Sequence, residues 1–207
     1  MAAPHEQLAA ADPVMAALVE RFGVLSPERR RRGRPRGVDV YGALLRTVIG
    51  QQLSTKAART IYGRVLELFD GAVPAPAQLL AVEPQALRDA GLSWRKVEYL
   101  RDLAAHVQSG ELEVDRLREL SDEDVIAEIS AVRGLGRWSA EMFLMFQLER
   151  PDVLPVDDLG IRRAIQVGYG LGQLPAAAEM ERLAEPWRPH RTLACLYLWE
   201  SLDNAPQ

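Results

Sequence analysis

At 207 residues the chain is long enough to bury a sizeable core, as one domain or as two small ones. Its single cysteine, Cys195, excludes an internal disulfide, a four-cysteine iron–sulfur cluster and a zinc ribbon. No apolar run approaches the ~20 residues that a membrane span needs, and the N-terminal segment lacks the apolar centre of a signal peptide. We therefore expect an intracellular, cytoplasmic protein that does not contact a membrane.

Apolar residues recur at helical spacing along the chain, and no segment shows sustained strand-like alternation. Ser54 and Ser121 precede two of the periodic segments and are typical N-caps. In chain order, the predicted helices span residues 12–22, 41–52, 55–68, 76–80, 84–90, 94–109, 122–130, 137–148, 159–169, 176–184 and 189–201. This pattern predicts an all-α fold.

The net charge of −4 is unusual for a protein that binds nucleic acid, but the distribution of positive residues matters more than their sum. Arginines crowd residues 29–36, a stretch typical of a solvated linker, for which a DNA contact is the alternative. Three further arginine pairs follow, at 133 and 137, 162 and 163, and 188 and 191.

A Gly-x-Gly turn lies between two predicted helices in residues 132–140, Val-Arg-Gly-Leu-Gly-Arg-Trp-Ser-Ala. Gly134 and Gly136 allow the backbone to turn tightly and to approach a partner closely. The N–H groups and the dipole at the start of the following helix favour an anion. The pattern predicts a phosphate-binding helix start, and a tight corner with no ligand is the alternative.

Two carboxylates, Asp157 and Asp158, stand where a later helix begins, the second of them 22 residues after Gly136. Paired acids at a helix start are often only caps. A Gly-x-Gly hairpin followed at this distance by Pro-x-Asp-Asp, however, resembles the helix-hairpin-helix (HhH-GPD) DNA glycosylase superfamily. Residues 49–54, Ile-Gly-Gln-Gln-Leu-Ser, and the Trp-Arg-Pro segment that begins at 187 resemble its DNA-3-methyladenine glycosylase II branch.

The resemblance covers roughly residues 38–201 and implies two helical lobes with a cleft between them, without the N-terminal β-domain of some relatives. We expect an N-terminal helix and linker over 1–37 that packs with the C-terminal lobe, a central bundle over 38–150 that includes the hairpin, and a C-terminal lobe over 151–207. It also implies a monomer whose partner is double-stranded DNA with alkylated bases.

The resemblance places the catalytic carboxylate at Asp158, because Ile161 matches an apolar position three residues after the family's acid. Such a carboxylate stabilises positive charge on the sugar and can orient water. Asp157 then becomes a helix cap or a supporting residue. Trp138 stands where bifunctional relatives carry a lysine nucleophile, so no Schiff base is expected. Trp138 and Trp199 match aromatic pocket positions that suit a cationic methylated purine, with hydrophobic core as the alternative.

A base inside a duplex must be flipped out and its gap filled. The resemblance assigns this role to Gln52, with Leu53 next, and an ordinary loop role is the alternative. Phosphate contacts are assigned to Gly134, Gly136, Ser139, Arg133 and Arg137. A structural Na⁺ or K⁺ is implied at the main-chain carbonyls of Ser130, Val132 and Leu135. No required cofactor and no iron–sulfur cluster are expected.

The predicted reaction is hydrolysis of the N-glycosidic bond of alkylated bases such as 3-methyladenine and 7-methylguanine, which leaves an intact abasic site for base excision repair. Two alternatives stay open. One is a glycosylase for deaminated or oxidised bases on the same scaffold. The other is a non-catalytic module that recognises damaged DNA through the hairpin alone.

Overall fold

The computed structural model describes residues 2–25 and 40–203, and within these ranges it contains twelve α-helices, one 3₁₀ turn and no β-strand. The prediction of an all-α fold is confirmed. The helices are α1 (Pro4–Ala11), α2 (Pro13–Phe22), α3 (Val40–Gly50), α4 (Thr55–Glu67), α5 (Pro76–Ala81), α6 (Pro84–Asp89), α7 (Trp94–Ser109), α8 (Asp122–Ala131), α9 (Arg137–Phe146), α10 (Leu159–Gly168), α11 (Ala177–Ala184) and α12 (Arg191–Asp203), with the 3₁₀ turn at Glu185–Trp187. The arginine run at 29–36 lies outside the described residues.

Helix α1 was not predicted, because its apolar periodicity is weak and Leu8 is its only fully buried residue. Local chemistry starts it instead. Pro4 occupies the first turn, and the main-chain N–H of Ala3 donates to Glu6 Oε2 at 2.7 Å. All the predicted helices are present, with ends that differ from the prediction by at most two residues.

Two compact units divide the chain, and the division falls within α9. We call residues 40–143 the central unit and residues 2–25 with 144–203 the terminal unit. In the central unit α7 packs against α3, α5 and α6, and α4 packs against α3. Leu44, Leu100 and Leu103 are fully buried in its core, and each such side chain contributes about 1.5–3 kcal/mol to folding.

In the terminal unit α12 contacts α10, α2 and α1, so the two ends of the chain share one core. Tyr197 donates its hydroxyl hydrogen to the carbonyl of Gly23 at 2.7 Å. Tyr169 donates to Asp12 Oδ2 at 2.6 Å, and burial together with this hydrogen bond raises the pKa of Tyr169 above its ordinary value. Cys195 is fully buried, as expected for a core residue. None of the described helices is long and apolar enough to cross a bilayer.

Candidate functional site

Asp158 is the N-cap of α10. Its backbone is extended, its Oδ1 accepts the N–H of Ile161 at 2.8 Å, and its carbonyl accepts the N–H of Arg162 at 2.9 Å. Asp158, which is half-buried, is therefore the helix cap, a role that the sequence suggested for Asp157. Of the two roles suggested for Asp157, the helix-cap role is wrong, since this residue is exposed and precedes the cap.

Trp199 of α12 contacts the same carboxylate, because its indole Nε1 donates to Asp158 Oδ1 at 3.0 Å. The Trp199 ring also lies 6.0 Å from the ring of Phe146, tilted by 31°. One oxygen of Asp158 thus accepts N–H donors from two packed helices. The structure brings together two residues that the sequence assigned separately, one to catalysis and one to the base pocket.

Gly160 belongs to this site and was not predicted. A Cβ at this position would lie 3.1 Å from Asp158 Oδ1 and 3.2 Å from Trp199 Nε1, which is tighter than ordinary van der Waals contact. The glycine therefore allows the indole to reach the cap of α10. The sequence did offer a sign of this role, because glycine in a helix lowers its stability by up to about 1 kcal/mol relative to alanine, so a glycine there suggests that space is needed.

The predicted hairpin joins α8 to α9. Helix α8 ends at Ala131, and a turn closes where the N–H of Leu135 donates to the carbonyl of Val132 at 3.1 Å. Gly134 has φ +83°, and a Cβ on it would overlap the ring of Tyr99. Only glycine fits both demands.

Gly136 differs from Gly134. Its φ is not positive, and no atom would lie within 4 Å of an added Cβ. The idea that the turn itself needs glycine at 136 is therefore wrong. The carbonyl of Gly136 accepts the N–H of Ala140 at 3.1 Å, so Gly136 directly precedes α9 and brings no side chain to cap its first turn.

The two arginines of the hairpin are in different environments. The side chain of Arg133 is 67% exposed and makes only a loose pair with Glu98, at 4.0 Å, while its main-chain N–H donates to Asp102 Oδ2 at 2.8 Å. Arg137 forms a two-pronged pair with Glu123, at 2.7 and 3.1 Å, and its Nε donates to Glu141 at 3.1 Å. The hydrogen bonds between Arg137 and Glu123 lower the pKa of Glu123 and raise that of Arg137. Arg133 is therefore the better placed of the two to meet a phosphate.

Trp138 and Ser139, which follow the turn, differ in exposure. Trp138 is 43% exposed at the start of α9, which does not fit the alternative that it is hydrophobic core. Ser139, assigned to a phosphate contact, is only 6% exposed. Any DNA contact at Ser139 would therefore involve little of its surface.

Gln52 and Leu53 lie in the turn between α3 and α4, and Ser54 caps α4 through the N–H of Ala57 at 3.3 Å. Gln52 is exposed and has φ +56°, an uncommon conformation for a residue other than glycine. Leu53 is 37% exposed. Both side chains are accessible, as a gap-filling role requires.

The carbonyls assigned to a monovalent cation fit such an ion chemically. Ser130 lies in the last turn of α8, where carbonyls lack helical N–H partners, and the Val132 carbonyl has a second lone pair beyond its bond to Leu135. Neutral oxygen donors suit a hard cation. Among the described residues, no group of three or more His, Cys, Asp or Glu side chains could hold a metal ion.

The later arginine pairs are bound within the terminal unit. Arg188 and Arg191 both pair with Asp152, at 2.5 and 2.7 Å, and desolvation of this carboxyl is outweighed by the two arginines, which hold its pKa below the ordinary value. Arg162 donates to the carbonyl of Pro175 at 3.1 Å. Arg162, Arg188 and Arg191 therefore make contacts within the protein, so charge clustering in the sequence overstated their availability to DNA. Arg163 is exposed and, among the described residues, bonds only to Gln166 of the same helix.

Three solved or curated relatives are similar to this chain over most of its length. Mag1, a 3-methyladenine DNA glycosylase of Schizosaccharomyces pombe solved with abasic DNA, has a TM-score of 0.83 and 31% identity over 98% of this chain and 97% of its own. A DNA-3-methyladenine glycosidase of Bacillus halodurans has a TM-score of 0.83 and 37% identity over 98% of this chain and 90% of its own. The Bacillus subtilis protein YfjP is 34% identical over 170 residues, which span 79% of this chain and 59% of YfjP.

The family match agrees with these likenesses. The description "HhH-GPD superfamily base excision DNA repair protein" applies to residues 45–189, which include the hairpin, Asp158 and the loop before α4. This range is more than two thirds of the chain. The chain is therefore a member of the HhH-GPD superfamily of base excision DNA repair proteins.

Proposed function

We propose that this chain is a monofunctional DNA glycosylase that removes alkylated bases from double-stranded DNA, with Asp158 as its catalytic carboxylate. The observation that carries the proposal is the fixed carboxylate at the start of α10, held by the N–H of Ile161 and the indole of Trp199. Relatives that share the fold at 31% and 37% identity are named for 3-methyladenine release, which supports the alkylated substrate class.

The reaction needs little acid catalysis, because alkylation at N3 or N7 makes the purine cationic and hence a good leaving group. The C1′–N bond breaks with its electron pair going to the base, and positive charge develops on the sugar. The carboxylate of Asp158 stabilises this charge and orients a water molecule. The water oxygen bonds to C1′ and passes its proton to the carboxylate of Asp158, from which it goes to solvent, and this gives a free base and an intact abasic site.

The indole of Trp199 has two roles in this proposal. Its N–H keeps Asp158 oriented, and its π face offers the electron density that attracts a cationic purine. Trp138, which is exposed at the start of α9, carries an aromatic face of the same kind. An oxidised or deaminated base is neutral and gains less from such faces, so an alkylated purine fits these residues better.

The hairpin segment, residues 132–140, contains no side-chain amine that could form the Schiff base of a lyase step. The chain has two lysines, Lys56 and Lys96, and neither lies in the hairpin segment. The Nζ of Lys96 donates to two main-chain carbonyls, those of Ile49 and Gln51. Hydrolysis without strand cleavage therefore suits the side chains present.

DNA would be held mainly through main-chain groups of the hairpin. The first turn of α9 offers N–H groups beside Gly136, and the exposed Arg133 adds a positive charge. The carbonyls of Ser130, Val132 and Leu135 would hold a Na⁺ or K⁺, whose charge would neutralise part of a phosphate. Gln52, with Leu53 next, would fill the gap left by the flipped base.

The direct test is the identity of the free base that the protein releases from three duplexes, which contain methylated purines, hypoxanthine or 8-oxoguanine. We expect release of 3-methyladenine and 7-methylguanine, with far slower release from the other two. Preferential release of hypoxanthine or 8-oxoguanine would assign the protein to a different lesion class. Binding without release from any duplex would favour a non-catalytic module.

A further inference from the structure

Lys96 joins the first turn of α7 to the end of α3. Its Nζ donates to the carbonyl of Ile49 at 2.8 Å and to that of Gln51 at 2.7 Å. Ile49 lies in the last turn of α3, where carbonyls have no helical N–H partner and the helix dipole favours a cation. Lys96 thus provides the end of α3 with the hydrogen bonds that the helix itself does not supply.

Gln51 links this corner to the hairpin. Its side-chain Nε2 donates to the carbonyl of Gly134 at 2.7 Å, across 83 positions of sequence. The main chain of Gln51 is therefore held by Lys96, and its side chain holds the most constrained residue of the hairpin. Gln52, with its φ of +56°, follows directly.

Helix α7 also contacts the hairpin without the help of Gln51. The ring of Tyr99 occupies the space that a Cβ on Gly134 would need, and Asp102 Oδ2 accepts the N–H of Arg133 at 2.8 Å. Lys96, Tyr99 and Asp102 lie at spacings of three residues, on one face of the helix. One face of α7 therefore supports both the loop at 51–53 and the hairpin at 132–136.

We infer that Lys96 is a positioning residue that, together with Gln51, fixes the gap-filling loop relative to the phosphate-binding hairpin. Both elements are then presented to DNA as one preorganised surface, so that Gln52 enters the duplex without first having to be ordered. The inference rests on the proposed function for its effect on base release. The coupling between the two segments is a property of the free protein and can be measured without DNA.

The test compares Lys96→Met with Lys56→Met, which removes the other lysine of the chain, an exposed one in α4. Amide hydrogen exchange of the free proteins is measured first. Lys96→Met should raise exchange about 10-fold or more both at 51–53 and at 133–136, with the rest of the central unit unchanged. Lys56→Met should leave both segments as they are. Faster exchange confined to 51–53, or in neither segment, would overturn the coupling.

Single-turnover release from methylated DNA at saturating enzyme then tests the consequence. Lys96→Met should slow release roughly 10- to 100-fold, with a smaller change in Kd, and Lys96→Arg should restore part of the rate because it can also donate to both carbonyls. The effects of Lys96→Met and Gln52→Ala on the release rate should be less than additive, because Lys96 acts by positioning the side chain of Gln52. Fully additive effects, or a wild-type rate in Lys96→Met, would contradict the positioning role. A wild-type protein that releases no base contradicts the proposed function instead, and the exchange result still decides the coupling.

Discussion

The carboxylate site of the terminal unit and the hairpin of the central unit are built in opposite ways. The site at Asp158 is made of side chains: its carboxylate accepts the indole N–H of Trp199 at 3.0 Å, and Gly160 leaves the room that this contact needs. At the hairpin most of the groups proposed to contact DNA belong to the main chain, whose turn is closed by the bond from Leu135 N–H to the Val132 carbonyl and by the positive φ of Gly134. The difference teaches that substitutions in the first region should change the rate of base release, whereas substitutions in the second should change DNA binding regardless of base sequence.

The largest effect on the hairpin itself is expected for Gly134→Ala. An L-residue at φ +83° is strained, and its Cβ would overlap the Tyr99 ring, so the free energy of unfolding should fall by roughly 2 kcal/mol or more. Denaturant unfolding measures the loss. Gly136→Ala is the matched control and should stay within about 1 kcal/mol of wild type, because its Cβ meets open space. Equal losses in the two variants would mean that the glycines are not distinct in role.

An intermediate effect is expected for Gly160→Ala. The added Cβ would press on Asp158 Oδ1 and Trp199, so single-turnover base release should slow about 10-fold while Kd for DNA stays within a factor of two or so. Stability should not fall greatly, since alanine is the better helix former. Gly63→Ala, in α4 with no atom near the new Cβ, controls for the change in helix propensity and should not slow release. Release at the wild-type rate in Gly160→Ala would show that the site does not need a glycine at this position.

A smaller, salt-dependent effect is expected for Arg133→Ala. Loss of one phosphate contact should weaken binding to abasic DNA a few-fold at low salt and reduce the slope of log K against log salt by about 1. Arg116→Ala is a suitable control, because Arg116 is also exposed in the central unit and pairs with Glu113 at 2.9 Å, whereas Arg133 lies 4.0 Å from Glu98. The same loss of slope in both variants would indicate a general charge effect rather than a contact at the hairpin.

Short-range patterns in the sequence predicted much of this molecule. Helical periodicity and the serine caps predicted every helix except α1, and Gly-x-Gly predicted the hairpin, because each signal is complete within about ten residues. The assignment of the carboxylate came from the family resemblance and stays a prediction. The sequence suggested Asp157 as a possible cap, since either carboxylate can begin the helix. Only the observed bond from the N–H of Ile161 identifies the cap as Asp158.

Contacts between residues far apart in sequence could not be predicted. The closeness of Gly160 to Trp199 and the bond from Gln51 to Gly134 arise from helix packing, which a single sequence does not encode in any local pattern. Charge clustering misled for a related reason. Arg188 and Arg191 look available to DNA until Asp152, almost forty residues away, is seen between them.

The central claim is that Asp158 performs the chemistry while the hairpin holds the DNA, and one paired measurement tests it most directly. Single-turnover base release at saturating enzyme and Kd are measured on the same methylated duplex for Asp158→Asn, Asp157→Asn and Gly136→Asp. Asp158→Asn should lose roughly 10³-fold in release and keep its Kd, because shape is retained and charge is lost. Asp157→Asn should release base at nearly the wild-type rate, and Gly136→Asp should bind more weakly but release base once saturated. Loss of release in Asp157→Asn with normal release in Asp158→Asn, or tight binding by Gly136→Asp, would contradict this division of roles.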